Sequence, residues 1–348
     1  MDPQDAEAAR VIDGYARGFM VSQVLFAACE LGVFDALAAA PGPLSAEALA
    51  ARLGCSASGT GRLLAACAAL GLLDWDPDAG AFACTPLSAA YLTSGSPRSQ
   101  RPMLLYLSRS PYALWAQLPH AVREGRNQHL RAFGTPAHDL FAAIYRAEDE
   151  RLSFLRALRA TWRLEGRAVL TAFDLSPFRV VCDLGGGSGA LARACASVYP
   201  GCTVTVFEAP GVVRAARALR AEEAEAEDVE RRVAFREGDF FRDPLPEADL
   251  YVLARVLHDW DDARCLRLLT RVRRACRPGG GALVVEARLD EGGRGPLPAL
   301  LASLTMLLQT EGRERPASDL RALCARAGFR RARDAPGGGA YGAVLALK

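Results

Sequence analysis

No two of the ten cysteines stand in a C-x-x-C spacing, and most sit inside apolar segments. The zinc-ribbon and thioredoxin-type spacings are therefore missing, and the thiols read as reduced core residues of a cytosolic protein, not as a disulfide framework. An excess of one charge is missing too. Lys and Arg total 42 against 40 Asp and Glu, a formal net charge of +2, which gives no support to the basic face that tight nucleic-acid binding uses. No apolar stretch approaches the ~20 residues a membrane helix needs. The opening "MDPQDAEAAR" is polar and acidic, unlike a signal or transit peptide. Histidine is scarce, with four in the whole chain.

What is present is an apolar fraction of 51% in 348 residues, enough for a sizeable core and for two domains. Residues 1–110 form one expected domain and residues 111–348 the other, the latter opening with a helical connector over 111–175. The stretch "GFMVSQVLFAACELGVFDALA" (18–38) carries apolar residues at three and four spacing, wider than a single stripe. A helix so apolar needs cover from more than one side. The segment that follows resembles a helix-turn-helix. Ser45 caps one helix with Glu47 in its first turn, Gly54 ends it, and Ser56 or Ser58 caps the next. A short hairpin around "PDAG" completes a winged-helix pattern. The second helix offers little basic charge beyond Arg62, so packing against another chain is favoured over DNA recognition. Residues 138–173 read as a long helical connector, and the run 221–232, acidic turning basic, as a solvated helix or loop.

From residue 178 the rhythm changes. Short apolar strands are expected at 178–184, 203–208, 232–237, 249–255 and 281–287, with helices between them such as 190–198 and 262–276. Continuous apolar strands separated by helices mean a mostly parallel sheet covered on both faces. The last residues, "GFRRARDA", "PGGG" and "AYGAVLALK", suggest a closing antiparallel hairpin.

"VVCDLGGGSGALARA" puts glycines where the first of these strands turns into a helix, so that backbone can approach a ligand closely. The spacing alone is ambiguous. Gly185-x-Gly187-x-Gly189 fits the S-adenosylmethionine type, and Gly185-x-Gly187-x-x-Ala190 fits a dinucleotide fingerprint. Asp183, just before the glycines, suits a cationic ligand and would repel a pyrophosphate. "EGDFF" (237–241) offers an acid for an adenine amino group and an aromatic to cover the ring, and no basic cluster waits for phosphate. Glu208, at the end of the second strand, can accept two ribose hydroxyls.

"DLGGGSG", "GDFF", "ARVLHDWDD" and "RPGGGALVVEA", with "AVREGRNQ", "AIYRAE" and "LLQTEGRERP", occur at intervals that resemble the class I S-adenosylmethionine-dependent O-methyltransferases of the caffeate/hydroxyindole type. The likeness runs from about residue 10 to the end. It implies an α/β fold: a Rossmann-like, mostly parallel sheet methyltransferase domain preceded by a mainly helical winged-helix dimerisation domain. It also implies a metal-free homodimer interleaved through the helical half, with residues Tyr15 to Val24 reaching the partner's pocket. By the resemblance, Tyr145 and Trp162 on the connector helix lie over the cofactor S-adenosyl-L-methionine. Gly185 and Gly187 line the loop, Glu208 takes the ribose, Gly238, Asp239 and Phe240 frame the adenine, and Arg255 sits under the methionine end.

"RVLHDWDD" (255–262) follows an apolar strand on the ligand side of the sheet. A metal site would have to draw on Asp259, Asp261 and Asp262 within one short turn, and the last two read better as first-turn acids of the next helix. A methyl transfer to oxygen lacks only an activated nucleophile, because a phenol-type hydroxyl ionises near pKa ~10. A neutral imidazole at His258 can take that proton. The resemblance places Glu286 and Glu314 beside it, and Asp259, Thr305 and Gln309 against the substrate. Thr305 stands where that family commonly has Asn, and Glu208 where close relatives often have Asp. The implied substrate is an N-acylated hydroxyindole, with the 5-hydroxyl of N-acetylserotonin leading. Another phenol, an NAD-dependent oxidoreductase and an adenosylmethionine-sensing winged-helix regulator are the rivals.

Overall fold

The computed structural model describes residues 2–135, 144–145, 147–220 and 226–348. It divides into two compact units, Met1–Arg109 and Ser110–Lys348.

In the first unit a helix runs over Pro3–Leu31, with Asp2 accepting the Gln4 N–H at 3.0 Å as its cap. The apolar run 18–38 is two helices and not one: Gly32 adopts φ 77°, which a side chain resists, and a second short helix, Val33–Ala38, starts there. Ala28 and Cys29 join Phe34, Leu49 and Leu64 in this unit's core. Toward the start of the long helix, Val11, Ile12, Tyr15, Phe19, Met20 and Val21 remain exposed. The helix-turn-helix forms as its capping residues direct. Ser45 accepts the Ala48 N–H at 3.2 Å, Gly54 closes the helix Ala46–Leu53, and Ser56 accepts the Gly59 N–H at 3.3 Å to start Ala57–Ala69. Strands β1 (Leu73–Asp76) and β2 (Ala81–Cys84) pair antiparallel, Leu73 opposite Cys84 and Asp76 opposite Ala81.

The second unit is built on seven strands: β3 (Val180–Leu184), β4 (Thr203–Glu208), β5 (Val233–Glu237), β6 (Ala248–Ala254), β7 (Cys276–Ala287), β8 (Arg331–Pro336) and β9 (Tyr341–Leu347). Their order is β5-β4-β3-β6-β7-β9-β8. The first five are parallel, and the expected closing hairpin adds β9 and β8 antiparallel. Val181, Leu250 and Leu283 face one packed layer of helices, and Tyr251, Leu253 and Val284 face the other, so both faces of the sheet are covered. The chain goes outward from β3 to β5, then returns to the other side of β3 at β6. Crevices that hold ligands in such sheets open at the carboxyl ends of the two strands where the order reverses, here β3 and β6.

The connector expected over 138–173 contains the helix Glu148–Leu170; its residues 138–143 and 146, like 221–225 of the acidic run, lie outside the described residues. Tyr145 falls in a turn ahead of that helix, whereas Trp162 is on it. Strand β7 begins five residues earlier than the apolar run suggests, because "CRPGG" extends it with Cys276 paired to Ala248 beside an irregular register. All ten cysteines are free thiols, and eight of them are buried. Among the described residues no helix is long and apolar enough to cross a membrane.

Candidate active site

A cavity of about 590 Å³ opens at the switch point. Four strand exits line it: Gly185–Ser188 after β3, Glu208–Pro210 after β4, Gly238–Arg242 after β5, and Ala254–Val256 with Asp259 and Trp260 after β6. Tyr145, Phe154 and Trp162 close it from the connector side. The size is that of an ordinary small-molecule site.

The glycine loop turns through φ 71° at Gly185, 56° at Gly187 and 75° at Gly189, left-handed values that leave backbone in place of side chains along the wall. Glu208 holds that loop to β4: its carboxylate accepts the Gly187 N–H at 3.1 Å and the Ala209 N–H at 2.7 Å. Burial pushes the Glu208 carboxyl upward against those two bonds. Asp183, 2% exposed, stands one residue before the end of β3 under the loop with Oδ2 lacking any hydrogen-bond partner. Burial, with the nearby Glu208, pushes Asp183 up to about 7. A buried carboxylate short of a partner is costly, and this one lines the cavity, so the wall offers an acceptor suited to a cation.

At the far side, Asp239 Oδ1 accepts the Phe241 N–H at 2.7 Å, while its backbone N–H donates to Asp243 at 2.8 Å. Phe240 and Phe241 stack edge to face at 4.9 Å, and Trp260 meets Phe241 at 5.0 Å and 89°. Together they form an aromatic end that a flat ring can fill. Arg255 sits at φ 58°, the one non-glycine residue of positive φ among those described, and its Nη1 donates to the Tyr341 hydroxyl at 3.1 Å. Tyr341 in turn packs on Trp162 at 5.1 Å.

Past β6 the chain makes a single 3-10 turn, Leu257–Asp259, that carries His258. The ring is 5% exposed. Its Nδ1 lies 2.7 Å from Glu314 Oε1 and 3.4 Å from Glu286 Oε2, and its Nε2 lies 3.8 Å from Asp259 Oδ1. Glu311, the neighbour that could be mistaken for Glu314, instead pairs with Arg264. Glu286 has a second task. Its Oε1 accepts the backbone N–H groups of Val256, Leu257 and His258 at 3.2, 2.8 and 3.3 Å, so the turn is built on this carboxylate. Burial alone would lower the imidazole pKa, but Glu314, Glu286 and Asp259 together push it up to about 10. Burial raises Glu286 as well, against the pull of His258. Burial likewise lifts Asp259 to about 6, with His258 and Arg255 pulling it down.

The donor atoms of His258, Glu286 and Glu314 fall within 4.8 Å of one another, a spacing that could gather round a cation. The chemistry argues otherwise. Glu286 Oε1 is filled by three N–H donors and Nδ1 is hydrogen-bonded to Glu314, so these atoms are already engaged in an imidazole held by acids, while Oε2 of each glutamate has no hydrogen-bond partner.

The structure thus brings Tyr145, Trp162, Gly185, Gly187, Glu208, Gly238, Asp239, Phe240, Arg255 and Asp259 into one cavity. His258, Glu286 and Glu314 form a buried group beside it, joined through Asp259. Thr305 and Gln309, on the helix Leu297–Gln309, do not line this cavity. Thr305 Oγ1 accepts the Trp115 indole N–H at 3.2 Å and donates to Leu301 at 2.9 Å, and the Gln309 carbonyl bonds the His129 ring at 2.9 Å. Sequence reasoning passed over Trp260 and Arg315. An aromatic inside "HDWDD" was the only signal for the first, and an Arg beside Glu314 the only one for the second. Asp261, expected in the first turn of the next helix, is its cap, accepting the Arg264 N–H at 2.7 Å.

Two family models match the chain, an O-methyltransferase domain over residues 115–330 and an O-methyltransferase dimerisation domain over residues 14–94. Acetylserotonin O-methyltransferase of Bos taurus is 59% identical, with 100% of both chains covered. The Homo sapiens enzyme of the same name is 54% identical, again over 100% of both. A crystal structure of human N-acetylserotonin methyltransferase in complex with SAM matches with a TM-score of 0.95 at 53% identity, covering 100% of this chain and 99% of that one.

Proposed function

Since this chain belongs to the O-methyltransferase family, we propose that it methylates the 5-hydroxyl of N-acetylserotonin, giving melatonin, with His258 as general base. The observation that carries the chemistry is the buried imidazole with Nδ1 bonded to Glu314 at 2.7 Å and Nε2 turned to the Asp259 side, where the cavity begins. The substrate assignment rests on acetylserotonin O-methyltransferases matched end to end at 59% and 54% identity.

The cavity fits S-adenosylmethionine. The Asp183 carboxylate, whose Oδ2 has no hydrogen-bond partner, offers the methionine end of the cofactor a counter-charge and would repel the pyrophosphate of NAD. Gly185 and Gly187 would pass backbone along it, Glu208 would take the ribose, and Gly238, Asp239 and Phe240 would frame the adenine, with Tyr145, Trp162 and Arg255 closing the site. When bound, the cofactor supplies an electrophilic methyl group on a sulfonium.

The protein's part is to make the acceptor oxygen a nucleophile. An imidazole of ordinary pKa 6.5 facing a hydroxyl of ~10 would take the proton about 5 kcal/mol uphill. The carboxylates that push His258 upward narrow that gap, so Nε2 can hold the proton as the oxygen attacks. Glu314 fixes the tautomer, because Nδ1 must carry the hydrogen it donates. Asp259 stands where it can orient the substrate N–H groups, and Thr305 and Gln309 belong to the helix that would back the indole.

The second copy of the chain covers the exposed apolar side of Pro3–Leu31, in a homodimer formed through the dimerisation domain at residues 14–94. A cytosolic location is supported by the ten free thiols. The test is a mass-spectrometric transfer assay with N-acetylserotonin in competition with simple catechols, run on wild type and His258→Ala. Adenosylmethionine binding should survive in the variant, while turnover falls ~10²- to 10⁴-fold. Unchanged turnover removes the base assignment, and preference for a catechol removes the substrate.

A further inference from the structure

Arg315 is 2% exposed, among the largest of the fully buried side chains, and takes no part in the chemistry above. A guanidinium has five N–H donors in a rigid fork, and here every one has an acceptor. Nε and one Nη2 hydrogen go to Asp262 Oδ1 at 2.9 and 2.7 Å. The other Nη2 hydrogen goes to the Trp260 carbonyl at 2.8 Å, and Nη1 reaches the carbonyls of Leu257 at 3.0 Å and Arg313 at 3.2 Å. Two of these acceptors bracket His258.

The same stretch of chain is pressed onto the turn at its other end. A Cβ at Gly312 would lie 2.0 Å from the His258 carbonyl oxygen and 2.5 Å from the Trp260 nitrogen, so only glycine allows the segment to lie this close. The turn is therefore gripped from two sides. Glu286 takes its N–H groups, and Arg315 takes its carbonyls. Glu314, next to Arg315 in the chain, projects to the imidazole while Arg315 projects to the backbone that carries it.

From this arrangement we propose that Arg315 is a positioning residue for the reaction: it locks residues 312–316 to the turn 257–260 and thereby sets the contact between His258 Nδ1 and Glu314 Oε1. The role deepens the general-base reading and rests on it. Charged groups facing the imidazole are Asp259 on its own turn, Glu286 from β7, and Glu314 and Arg315 from this segment. Loss of the Arg315 charge would by itself favour the protonated ring and move its titration upward. Loosening Glu314 moves it downward. The two effects have opposite sign, so a variant that keeps the charge and loses the fork isolates the geometry.

That variant is Arg315→Lys. The readout is the His258 titration by nitrogen NMR on the whole protein, assigned by its absence in His258→Ala among only four histidines. It is joined by calorimetry with S-adenosylmethionine and by kcat and KM. The titration midpoint should move down by about one pH unit and kcat on the alkaline plateau, where the ring is neutral in both proteins, should fall roughly three- to tenfold, with cofactor affinity and KM within about twofold of wild type. An unshifted titration with wild-type kcat overturns the proposal. So does a loss of kcat shared equally by cofactor binding with the titration unmoved, which would mark a structural role alone. Should the Lys variant not fold, Asp262→Glu decides, since it keeps the charge and displaces the fork's acceptor, whose side chain is 49% exposed. It should shift both readouts the same way by a smaller amount, and no shift overturns the inference. If His258→Ala keeps turnover, the base reading fails, while the NMR result still reports on the His258–Glu314 contact.

Discussion

Replacing Glu314 by Gln removes one negative charge from the imidazole and leaves an amide oxygen of the same reach to accept from Nδ1. In the wild type that oxygen stands 2.7 Å from Nδ1, with both groups buried. A carboxylate this near moves a neighbour's pKa by ~1–3 pH units, roughly 1.4–4 kcal/mol of preference for the protonated ring. With burial opposing and Glu286 and Asp259 still in place, His258 should drop from about 10 toward, but not to, the ordinary 6.5. The sign follows from the role. A base works only when neutral, so activity grows as pH rises through the imidazole pKa, and a raised pKa puts that limb on the alkaline side. Glu314→Gln should move the limb of kcat/KM down by the same ~1–3 pH units. It should also lower the plateau above it, because a weaker base takes the proton less completely. The assay is kcat/KM for N-acetylserotonin from pH 6 to about 10.5 with saturating cofactor. The substrate hydroxyl ionises near ~10 in both proteins, so the difference between the two profiles belongs to the ring. Limbs that coincide within about 0.3 pH units would refute the reasoning, and so would a limb that moves upward.

Three further outcomes follow from the same geometry. Asp183→Asn removes a buried carboxylate with an unpartnered oxygen, pushed up to about 7 in the fold. A carboxyl whose folded pKa is raised destabilises the fold above its unfolded value. The ligand-free variant should therefore gain up to roughly 4 kcal/mol at pH 8, a gain that fades by pH 4, while adenosylmethionine binds more weakly; equal denaturation midpoints at pH 8 would contradict this. Glu286→Ala strands the buried N–H groups of Val256, Leu257 and His258 and should cost at least ~3 kcal/mol in urea unfolding, with turnover lost alongside. Thr305→Val takes the acceptor from the Trp115 indole and should raise KM for N-acetylserotonin several-fold with cofactor affinity unchanged, as read by steady-state kinetics and calorimetry.

Local chemistry was legible in the sequence where it is local in space. Ser45, Gly54 and Ser56 bound their helices because a cap reaches only two or three residues. The glycine loop turns because its positive φ values fall within one strand-to-helix junction. What local pattern missed was set by partners far along the chain. "CRPGG" is poor strand sequence, yet β7 takes it in because Ala248 of β6 offers a neighbour. Arg315 in "GRERP" looks like a solvated charge, and it is buried only because carbonyls from residues 257 and 260, over fifty positions away, meet its fork. Gly32 divides a run whose apolar pattern continues straight through it.

The acid–base cluster marks the boundary between the two kinds of information. His258 is separated from Glu286 by 28 residues and from Glu314 by 56, and neither interval has a periodicity that would pair them. Resemblance to a family suggested the three together; parallel register supplies the physical cause. Because β6 pairs with β7 so that Ala254 stands beside Val285, the next residue of β7, Glu286, comes level with the point where the chain leaves β6. A strand that ends there must turn, and its first free N–H groups, on Val256, Leu257 and His258, need an acceptor in a place water does not reach. A carboxylate at the end of β7 answers that need and meets the imidazole with its second oxygen. A register slip of one residue would put the Glu286 side chain on the opposite face of the sheet, leaving the turn without its acceptor and His258 with one acid fewer. The basicity of the ring is thus a consequence of how two strands align.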